Sequence, residues 1–414
     1  MKRRNNMRLK INNNSAITLI ALVITIVVLL ILAGVTIAAL SGDNGILTRA
    51  KEAKEKTEQA QKEEEVTLSN MEDMLDNVEF KNINTQDTKP GKVLPTNVTI
   101  LENDGNKGIV IKDQNNNEWV WIEVPKTTVF AGLTIDTTKE LTEQNYNDIR
   151  DKLIAYAITY REGKAGQGRY WTDEWYEGCS LTSDEYTATY QKMLKSVYNY
   201  GGFWIGRYES GIEGSIDDVL KARISHTTVT IDTSPKAISQ KDAIPYNYVY
   251  CNEAQALAKE MTPNSDYTSS LLFGIQWDLV CRFLEIKGGL KTTDINSESG
   301  AWGNYYDVER TINSKKAKQG DSWITITGKK VANSLILLTT GASEETNKMN
   351  IYDFAGNELE WTLEHDTSDS SYPCSSRGGN YGTSGSYGPA SGRYGYDTTF
   401  NTCSVGFRST LYAN

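Results

Sequence analysis

The chain has 414 residues, of which 39% are hydrophobic and 23% charged, and its 43 basic and 53 acidic side chains give a formal net charge of −10. This composition is typical of a globular protein and excludes a fully disordered or collagen-like chain. Residues 1–10 carry five basic side chains and no acidic one, so the rest of the chain is more acidic still, and we expect no nucleic-acid partner. Two histidines, His226 and His365, are too few for a multi-histidine metal centre.

Residues 16–40 form an apolar stretch without a charged side chain. A helix of this length exceeds the hydrocarbon core of a bilayer, which is about 30 Å thick. The basic leader, residues 1–15, places the N-terminus in the cytoplasm and the C-terminal body outside the cell. The alternatives are a cleaved secretory signal, whose apolar region is usually shorter, and a buried core helix, which needs no basic flank. The pattern therefore predicts a single-pass membrane protein.

The same stretch resembles the N-terminus of type IV prepilins, in which a small residue, usually Gly, precedes an apolar run that begins like F-T-L-I-E. Ala16 takes the position of the small residue, and Ile17-Thr18-Leu19-Ile20-Ala21 follows. The resemblance implies a bacterial cell membrane and leaves open both cleavage after Ala16 and pilin-like subunits as partners. Ala21 replaces the glutamate that pilins use in filament assembly, which argues against polymerisation.

Residues 41–80 are rich in good helix formers and include the favourable pair Glu52–Lys56. They predict a solvated helical stalk, with a coiled-coil partner surface as the alternative. Residues 81–104 contain two prolines and are predicted to be a linker.

The body, residues 105–414, begins with predicted helices and strands and ends in a loop-rich region. We expect strands at 109–111, 119–122 and 202–208 and helices at 142–160, 183–199, 247–261 and 273–286. Thr182 and Glu185 form a capping box for the second of these helices, and Gly201 ends it. Beyond residue 290 no helix is predicted. Helices first and irregular β-structure later indicate an α+β domain.

Six segments of the body occur in the order found in a known family. They are Gly202–Glu209 (GFWIGRYE), Tyr250–Ala254, Leu272–Trp277, Asp353–Trp361 (DFAGNELEW), Arg377–Tyr381 (RGGNY) and Gly406–Arg408 (GFR). With these segments the body resembles the formylglycine-generating enzymes, or sulfatase-modifying factors. The resemblance implies a C-type-lectin-like fold for the body. The predicted architecture is therefore an α+β domain of this fold behind one N-terminal transmembrane helix.

The enzymes of that family oxidise a substrate cysteine with two active-site cysteines. Thr383 and Gly388 stand at the matching positions, and neither supplies a thiolate for copper or disulfide exchange. Two histidines are too few for the related iron-dependent enzymes, and no nucleotide-binding P-loop is present. We therefore predict a protein that is not an enzyme and needs no copper, iron or nucleotide, with the family's oxidoreductase activity as an alternative.

The resemblance implies one metal site, for calcium. The matching positions are Asp353, Gly356, Glu358 and Glu360, which would offer side-chain and main-chain oxygens to a hard cation. The alternative is a Gly-Asn turn in which Glu360 simply completes the core.

The five cysteines lie elsewhere in the body. Cys374 and Cys403 bracket the last loop and suggest a disulfide, with single buried thiols as the alternative.

The last loop, residues 366–401, has an unusual composition, because Ser, Gly, Tyr, Thr, Asp and Asn supply 29 of its 36 residues. Antibody paratopes use the same residue types, since Tyr gives rigid contact area and Ser, Gly and Asn adapt their hydrogen bonds. The loop also resembles the variable region of retroelement-diversified proteins, which use a lectin-like fold to present ligand-binding residues. An ordinary surface loop is the alternative.

We therefore predict a binding surface within residues 374–408 for an unknown protein or glycan ligand. Its predicted contact residues are Asn380, Tyr381, Tyr387, Arg393, Tyr394 and Tyr396. The predicted function is non-enzymatic ligand binding at the bacterial cell surface. A minor pilin or pseudopilin within a surface filament is the structural alternative.

Overall fold

The computed structural model describes residues 22–32, 51, 53–54, 56–57, 59, 80–161, 171–214, 225–262, 264–312, 316–319, 322–326 and 328–414. The chain divides into two compact units, Met1–Met74 and Leu75–Asn414. In the first unit, residues 22–32 are helical, as are the described residues between 51 and 59. The other residues of the predicted membrane segment 16–40 and most of the stalk lie outside the described residues. Of the helices that the structure describes, none is both long and apolar enough to cross a membrane.

The second unit is a mixed α/β structure, in agreement with the predicted α+β class. Its described helices are α1 (Lys126–Val129), α2 (Glu143–Tyr156), α3 (Ile158–Arg161), α4 (Ser183–Tyr200), α5 (Cys251–Lys259), α6 (Gly274–Ile286) and α7 (Thr292–Asn296). The strands are β1 (Thr99–Glu102), β2 (Val110–Lys112), β3 (Glu118–Glu123), β4 (Trp171–Thr172), β5 (Gly202–Gly206), β6 (Gly211–Ile212), β7 (Ala237–Ile238), β8 (Tyr267–Leu271), β9 (Arg310–Ile312), β10 (Lys316–Gln319), β11 (Ser322–Thr325), β12 (Gly328–Lys330), β13 (Ile336–Leu338), β14 (Leu359–Asp366), β15 (Cys374–Arg377), β16 (Arg393–Tyr396), β17 (Val405–Phe407) and β18 (Ser409–Ala413).

The first sheet is antiparallel, with strand order β1-β2-β3-β5-β18-β8. The last strand of the chain, β18, thus lies between β5 and β8. Trp121 on β3 and Trp204 on β5 meet edge to face, with ring centroids 5.0 Å apart. Both indoles are buried, so they form the aromatic centre of the core.

Residues 81–104 are part of this unit, and the prediction of a linker there is wrong. The indole Nε1 of Trp204 donates a hydrogen bond to the carbonyl oxygen of Val93 at 2.8 Å. The indole of Trp121 donates to the hydroxyl of Thr88 at 2.7 Å. β1 lies in the same segment and pairs with β2. The two prolines led to the wrong prediction because the segment that contains them packs against the core.

The second sheet has strand order β16-β15-β14-β17, and β4 also pairs with β14. Only the β14–β17 pair is parallel. Seven of the eight residues of β14 are buried, because strands and helices surround it. Residues 374–408 contribute the hairpin β15–β16 and the strand β17 to this sheet.

The helix predicted at 183–199 is present as α4 with both predicted ends. The hydroxyl of Thr182 accepts from the backbone N–H of Glu185, whose side chain binds back to Thr182. Gly201 ends the helix in the left-handed conformation, with φ 70°. The helix predicted at 247–261 is shorter, since Tyr250 is extended and caps α5 instead. α7 was not predicted, because five residues give no periodic pattern.

A substitution at Gly201 would test how closely the end of α4 contacts the segment 81–104. A Cβ at this position would lie 1.8 Å from the backbone oxygen of Asp87. Gly289 has a similar φ of +68° but open space around it. We expect Gly201→Ala to lower the free energy of unfolding by about 1–3 kcal/mol more than the matched control Gly289→Ala, measured by urea denaturation. Equal losses would show that the contact does not constrain the fold.

Candidate functional site

Two arginines of the hairpin β15–β16 fix its base to the rest of the body. Arg377 ends β15 and Arg393 begins β16, and the two are paired in register. Arg377 contacts Asp278 of α6 at 2.8 Å and Glu364 of β14 at 3.1 Å. Arg393 contacts the same two carboxylates at 2.7 Å and 3.0 Å. All four side chains are fully buried, so water does not screen these ion pairs.

A third arginine closes this buried ion network. Arg161, at the end of α3, lies 2.9 Å from Glu364, 3.3 Å from Asp278 and 2.9 Å from Asp173. Asp173 in turn accepts hydrogen bonds from the backbone N–H groups of Gly274 and its neighbour at the start of α6, at 2.6 and 3.1 Å. The network therefore balances three guanidinium groups with three carboxylates.

Burial by itself would raise the pKa of Glu364. The guanidinium groups of Arg393, Arg377 and Arg161, in that order, outweigh burial and lower the pKa of this carboxyl to about 2. Glu364 is therefore ionised at neutral pH. It can stay buried as a carboxylate because three arginines contact it.

Arg393 does not fit its predicted role as a ligand contact. Its side chain is fully buried in the network and also donates to the backbone oxygen of Tyr160 at 2.7 Å. That prediction is wrong, because an exposed loop arginine and a buried one at the base of a hairpin look the same in a sequence. Its partners come from α3, α6 and β14, which are distant in the chain.

The other predicted contacts are the tyrosines and Asn380, and they differ in exposure. Tyr387 is 73% exposed. Tyr394 is half-buried, and its hydroxyl donates to the backbone oxygen of Tyr387 at 2.9 Å. Tyr381 is also half-buried and donates to the thiol of Cys403 at 3.2 Å. Burial raises the pKa of Tyr381 and of Tyr394, so both phenols are neutral. Tyr387 therefore projects furthest into solvent.

Tyr396 belongs to an aromatic stack that covers the core. Its ring stacks on Phe400 with centroids 3.8 Å apart and planes 15° apart. Both rings stand edge-on to the buried Trp361, at 5.9 and 6.1 Å. Contacts with Phe400 and Trp361 thus fix the ring of Tyr396, which stays partly exposed to solvent. Phe400 was missed in the sequence, where a single Phe among Thr and Asn carries no pattern.

The turn between β15 and β16 is ordered by a hydrogen bond from Tyr305 and by hydrogen bonds within the turn itself. The hydroxyl of Tyr305 donates to the backbone oxygen of Gly388 at 2.7 Å and lies 3.2 Å from that of Gly378. The side-chain oxygen of Asn380 accepts from the N–H of Gly382 at 2.7 Å. A Cβ at Gly388 would lie 3.0 Å from the Thr383 hydroxyl, so the two positions that match the family's cysteines are adjacent in space. Neither carries a thiol.

The exposed surface continues onto a segment that the sequence did not indicate. Tyr306, 37% exposed, donates its backbone N–H to the oxygen of Thr383 at 3.0 Å. Ser334 donates to Tyr306 at 3.1 Å, and the next residue, Leu335, is 55% exposed. We call the exposed and half-buried side chains of this region the tyrosine surface. Its members are Tyr306, Leu335, Asn380, Tyr381, Tyr387, Tyr394 and Tyr396.

Two of the four positions predicted to bind calcium, Asp353 and Glu360, already bind donors of the protein through their carboxylates. Asp353 accepts hydrogen bonds from the N–H of Gly341 at 2.7 Å and the hydroxyl of Thr346 at 2.8 Å. Glu360 is paired with Arg408 at 2.7 Å. These donors would compete with a cation for the carboxylate oxygens of Asp353 and Glu360.

The other two positions have structural surroundings as well. Gly356 makes a left-handed turn with φ 74°, and a Cβ there would lie 2.4 Å from the oxygen of Asn304. Glu358 is buried, and its backbone N–H donates to the carboxylate of Glu209 at 3.0 Å. Among the described residues, no group of three or more His, Cys, Asp or Glu is arranged to hold a metal ion. The turn acts as part of the core.

No protein-family model matches the chain, and neither does any curated protein. Several solved structures are similar to part of it, and they include the following two. Treponema denticola variable protein 1 is 15% identical with a TM-score of 0.30, over 52% of this chain and 85% of that chain. CarF is 13% identical with a TM-score of 0.32, over 51% of this chain and 87% of that chain. These values are too low to assign a function.

The ion network predicts a large effect of one substitution at the base of the hairpin. We expect Arg393→Met to lower the free energy of unfolding by about 3–5 kcal/mol, because only two guanidinium groups would then balance three buried carboxylates. Arg150→Met is the matched control, since Arg150 pairs with Asp151 at the surface, and it should cost about 0–1 kcal/mol. Urea denaturation of both variants measures the difference. Similar losses would contradict a buried network.

From the contacts of Asp353 and Glu360, we predict that calcium does not change the thermal stability of the protein. We expect millimolar calcium chloride to leave the melting temperature of the purified protein unchanged relative to magnesium chloride at equal ionic strength, because a ligand that binds only the folded state would raise it. Differential scanning fluorimetry provides the measurement. A rise with calcium alone would restore the predicted site.

Proposed function

We propose that this chain is a protein of the bacterial cell surface that binds a protein or glycan ligand non-covalently through the tyrosine surface. One observation carries the proposal. Tyr387, a large aromatic side chain, is 73% exposed above a hairpin whose base is fixed by Arg377 and Arg393. An exposed aromatic group has no stabilising role in a core, whereas at an interface Tyr supplies much of the binding energy.

The arrangement favours affinity because its side chains are already ordered, so that binding costs little conformational entropy. Tyr394 and Tyr381 are already held by hydrogen bonds, and Tyr396 is held by its stack on Phe400. Rigid aromatic groups lose little conformational entropy when a ligand covers them. Ser384 and neighbouring serines provide hydroxyl groups that can reorient to suit a ligand.

The proposal includes three further points that rest on the sequence. We infer a C-type-lectin-like fold for the body from the order of its six matching segments. We infer membrane anchoring through residues 16–40 from their length and basic flank. Binding without catalysis is favoured over the family's cysteine oxidation because Thr383 and Gly388 replace the two catalytic cysteines.

A structural role in a filament is a second candidate, favoured by the prepilin-like sequence at Ala16–Ala21. It predicts that the full-length protein co-purifies with filament subunits, and that replacing Ile17–Leu40 by an unrelated membrane segment abolishes this. Ligand binding by the tyrosine surface would survive the same replacement.

The tyrosine surface predicts a selective loss of binding. Full-length protein in detergent is tested on a glycan array and against a displayed protein library, and the binders found are titrated by biolayer interferometry. We expect Tyr387→Ala to weaken binding by about 30-fold or more, because truncating a central Tyr costs about 2 kcal/mol. Its melting temperature should stay near wild type, since the side chain is mostly solvent-exposed.

Tyr372→Ala is the matched control, because Tyr372 is 41% exposed in the same chain segment but precedes residues 374–408. It should bind as the wild type does. Undiminished binding by Tyr387→Ala, or an equal loss in both variants, would place the ligand elsewhere. Oxidation of a cysteine-containing peptide by the protein in the presence of copper would favour the enzymatic alternative.

A further inference from the structure

Two of the five thiols face each other inside the body. The sulfur atoms of Cys251 and Cys374 lie 2.9 Å apart. Both residues are buried, with 2% and 0% of their surface exposed. Cys251 is the first residue of α5 and Cys374 is the first residue of β15. The hydroxyl of Tyr176 lies 3.4 Å from the sulfur of Cys251 and covers the pair from a third segment.

We propose that Cys251 and Cys374 form a disulfide bond in the mature protein. A disulfide needs two sulfurs about 2.05 Å apart on side chains that point at each other. Here the two sulfurs are already in contact, so small side-chain rotations close the remaining distance. This inference is independent of what the tyrosine surface binds.

The other three thiols have different neighbours, which makes the pairing specific. The sulfur of Cys179 lies 3.7 Å from the backbone oxygen of Leu181. Cys403 accepts the hydrogen bond from Tyr381. Cys281 is buried on α6. The sequence suggested Cys374 with Cys403, and the structure contradicts that pairing because Cys374 faces α5 instead.

The chemistry constrains when the bond forms. The hydrogen bond to Cys251, followed by burial, raises the pKa of the Cys374 thiol, so its reactive thiolate is disfavoured once the body has folded. The bond therefore forms while the chain is folding and the thiols are still accessible. Two S–H bonds break and one S–S bond forms. The two protons and two electrons pass to the disulfide of a thiol–disulfide oxidoreductase or of glutathione, which becomes two thiols.

The bond would join two segments that are 123 positions apart in the chain. A cross-link that closes so long a loop restricts the unfolded chain and thereby stabilises the folded state, in the chain-entropy model. It would also fix β15 at its first residue, while Arg377 holds the same strand at its last. The strand that leads into the tyrosine surface would then be anchored at both ends.

Mass mapping tests the bond directly. Full-length protein is refolded in a buffer of reduced and oxidised glutathione, its free thiols are alkylated, and it is digested without reduction. We expect one cross-linked peptide pair that contains Cys251 and Cys374 and is lighter than the two free peptides by two hydrogen atoms. Three thiols should remain alkylated. Five alkylated thiols, or a cross-link to Cys179 or Cys403 instead, would overturn the proposal.

Reduction provides a second test. Protein refolded in dithiothreitol keeps both thiols reduced, and we expect it to melt about 5–10 °C below the oxidised protein. The Cys251→Ala/Cys374→Ala variant should show no such response, whereas the matched control Cys281→Ala should still lose stability on reduction. An unchanged melting temperature of the wild type in dithiothreitol would overturn the proposal, even if the double variant failed to fold. Binding by the tyrosine surface is measured separately, so failure of one proposal is distinguishable from failure of the other.

Discussion

The body depends on a buried balance of charge at the base of the hairpin β15–β16. Removing an ion from water costs several kcal/mol, so each buried charge must be met by an opposite one. Here the cost is offset because every carboxylate of the network contacts at least one guanidinium group at 3.3 Å or less, and Glu364 contacts three. These contacts connect α3, α6, β14, β15 and β16. The position of the tyrosine surface follows from them.

A second buried arginine site connects the two sheets. Arg408, between β17 and β18, pairs with Glu360 on β14 and donates to the backbone oxygens of Gly206 and Tyr352 at 2.9 and 2.8 Å. Glu360 and Arg408 belong to the segments that resemble the formylglycine-generating enzymes. In this chain they hold strands together, a structural role that needs no thiol at Thr383 or Gly388.

Local patterns predicted the elements well and the contacts between them poorly. Thr182, Glu185 and Gly201 define α4 because capping involves only neighbouring residues. Arg393 was misplaced because its buried position depends on Asp278, 115 positions away in the chain. The role of Glu360 was decided in the same way by Arg408. A sequence shows which residues are charged but not which of them are buried. Burial determines whether a charged group binds a ligand or supports the core.

The sequence by itself determined the α+β class of the body, the ends of α4 and the Tyr- and Ser-rich composition of the last loop, since these depend on neighbouring residues. Only the tertiary structure decided that Tyr387 is exposed while Arg393 is buried. It also decided that Leu335 lies beside the loop, where a Cβ at Gly382 would lie 4.0 Å from its side chain. It also brought Cys251 against Cys374. Such contacts arise from the packing of elements far apart in the chain, which no local pattern specifies.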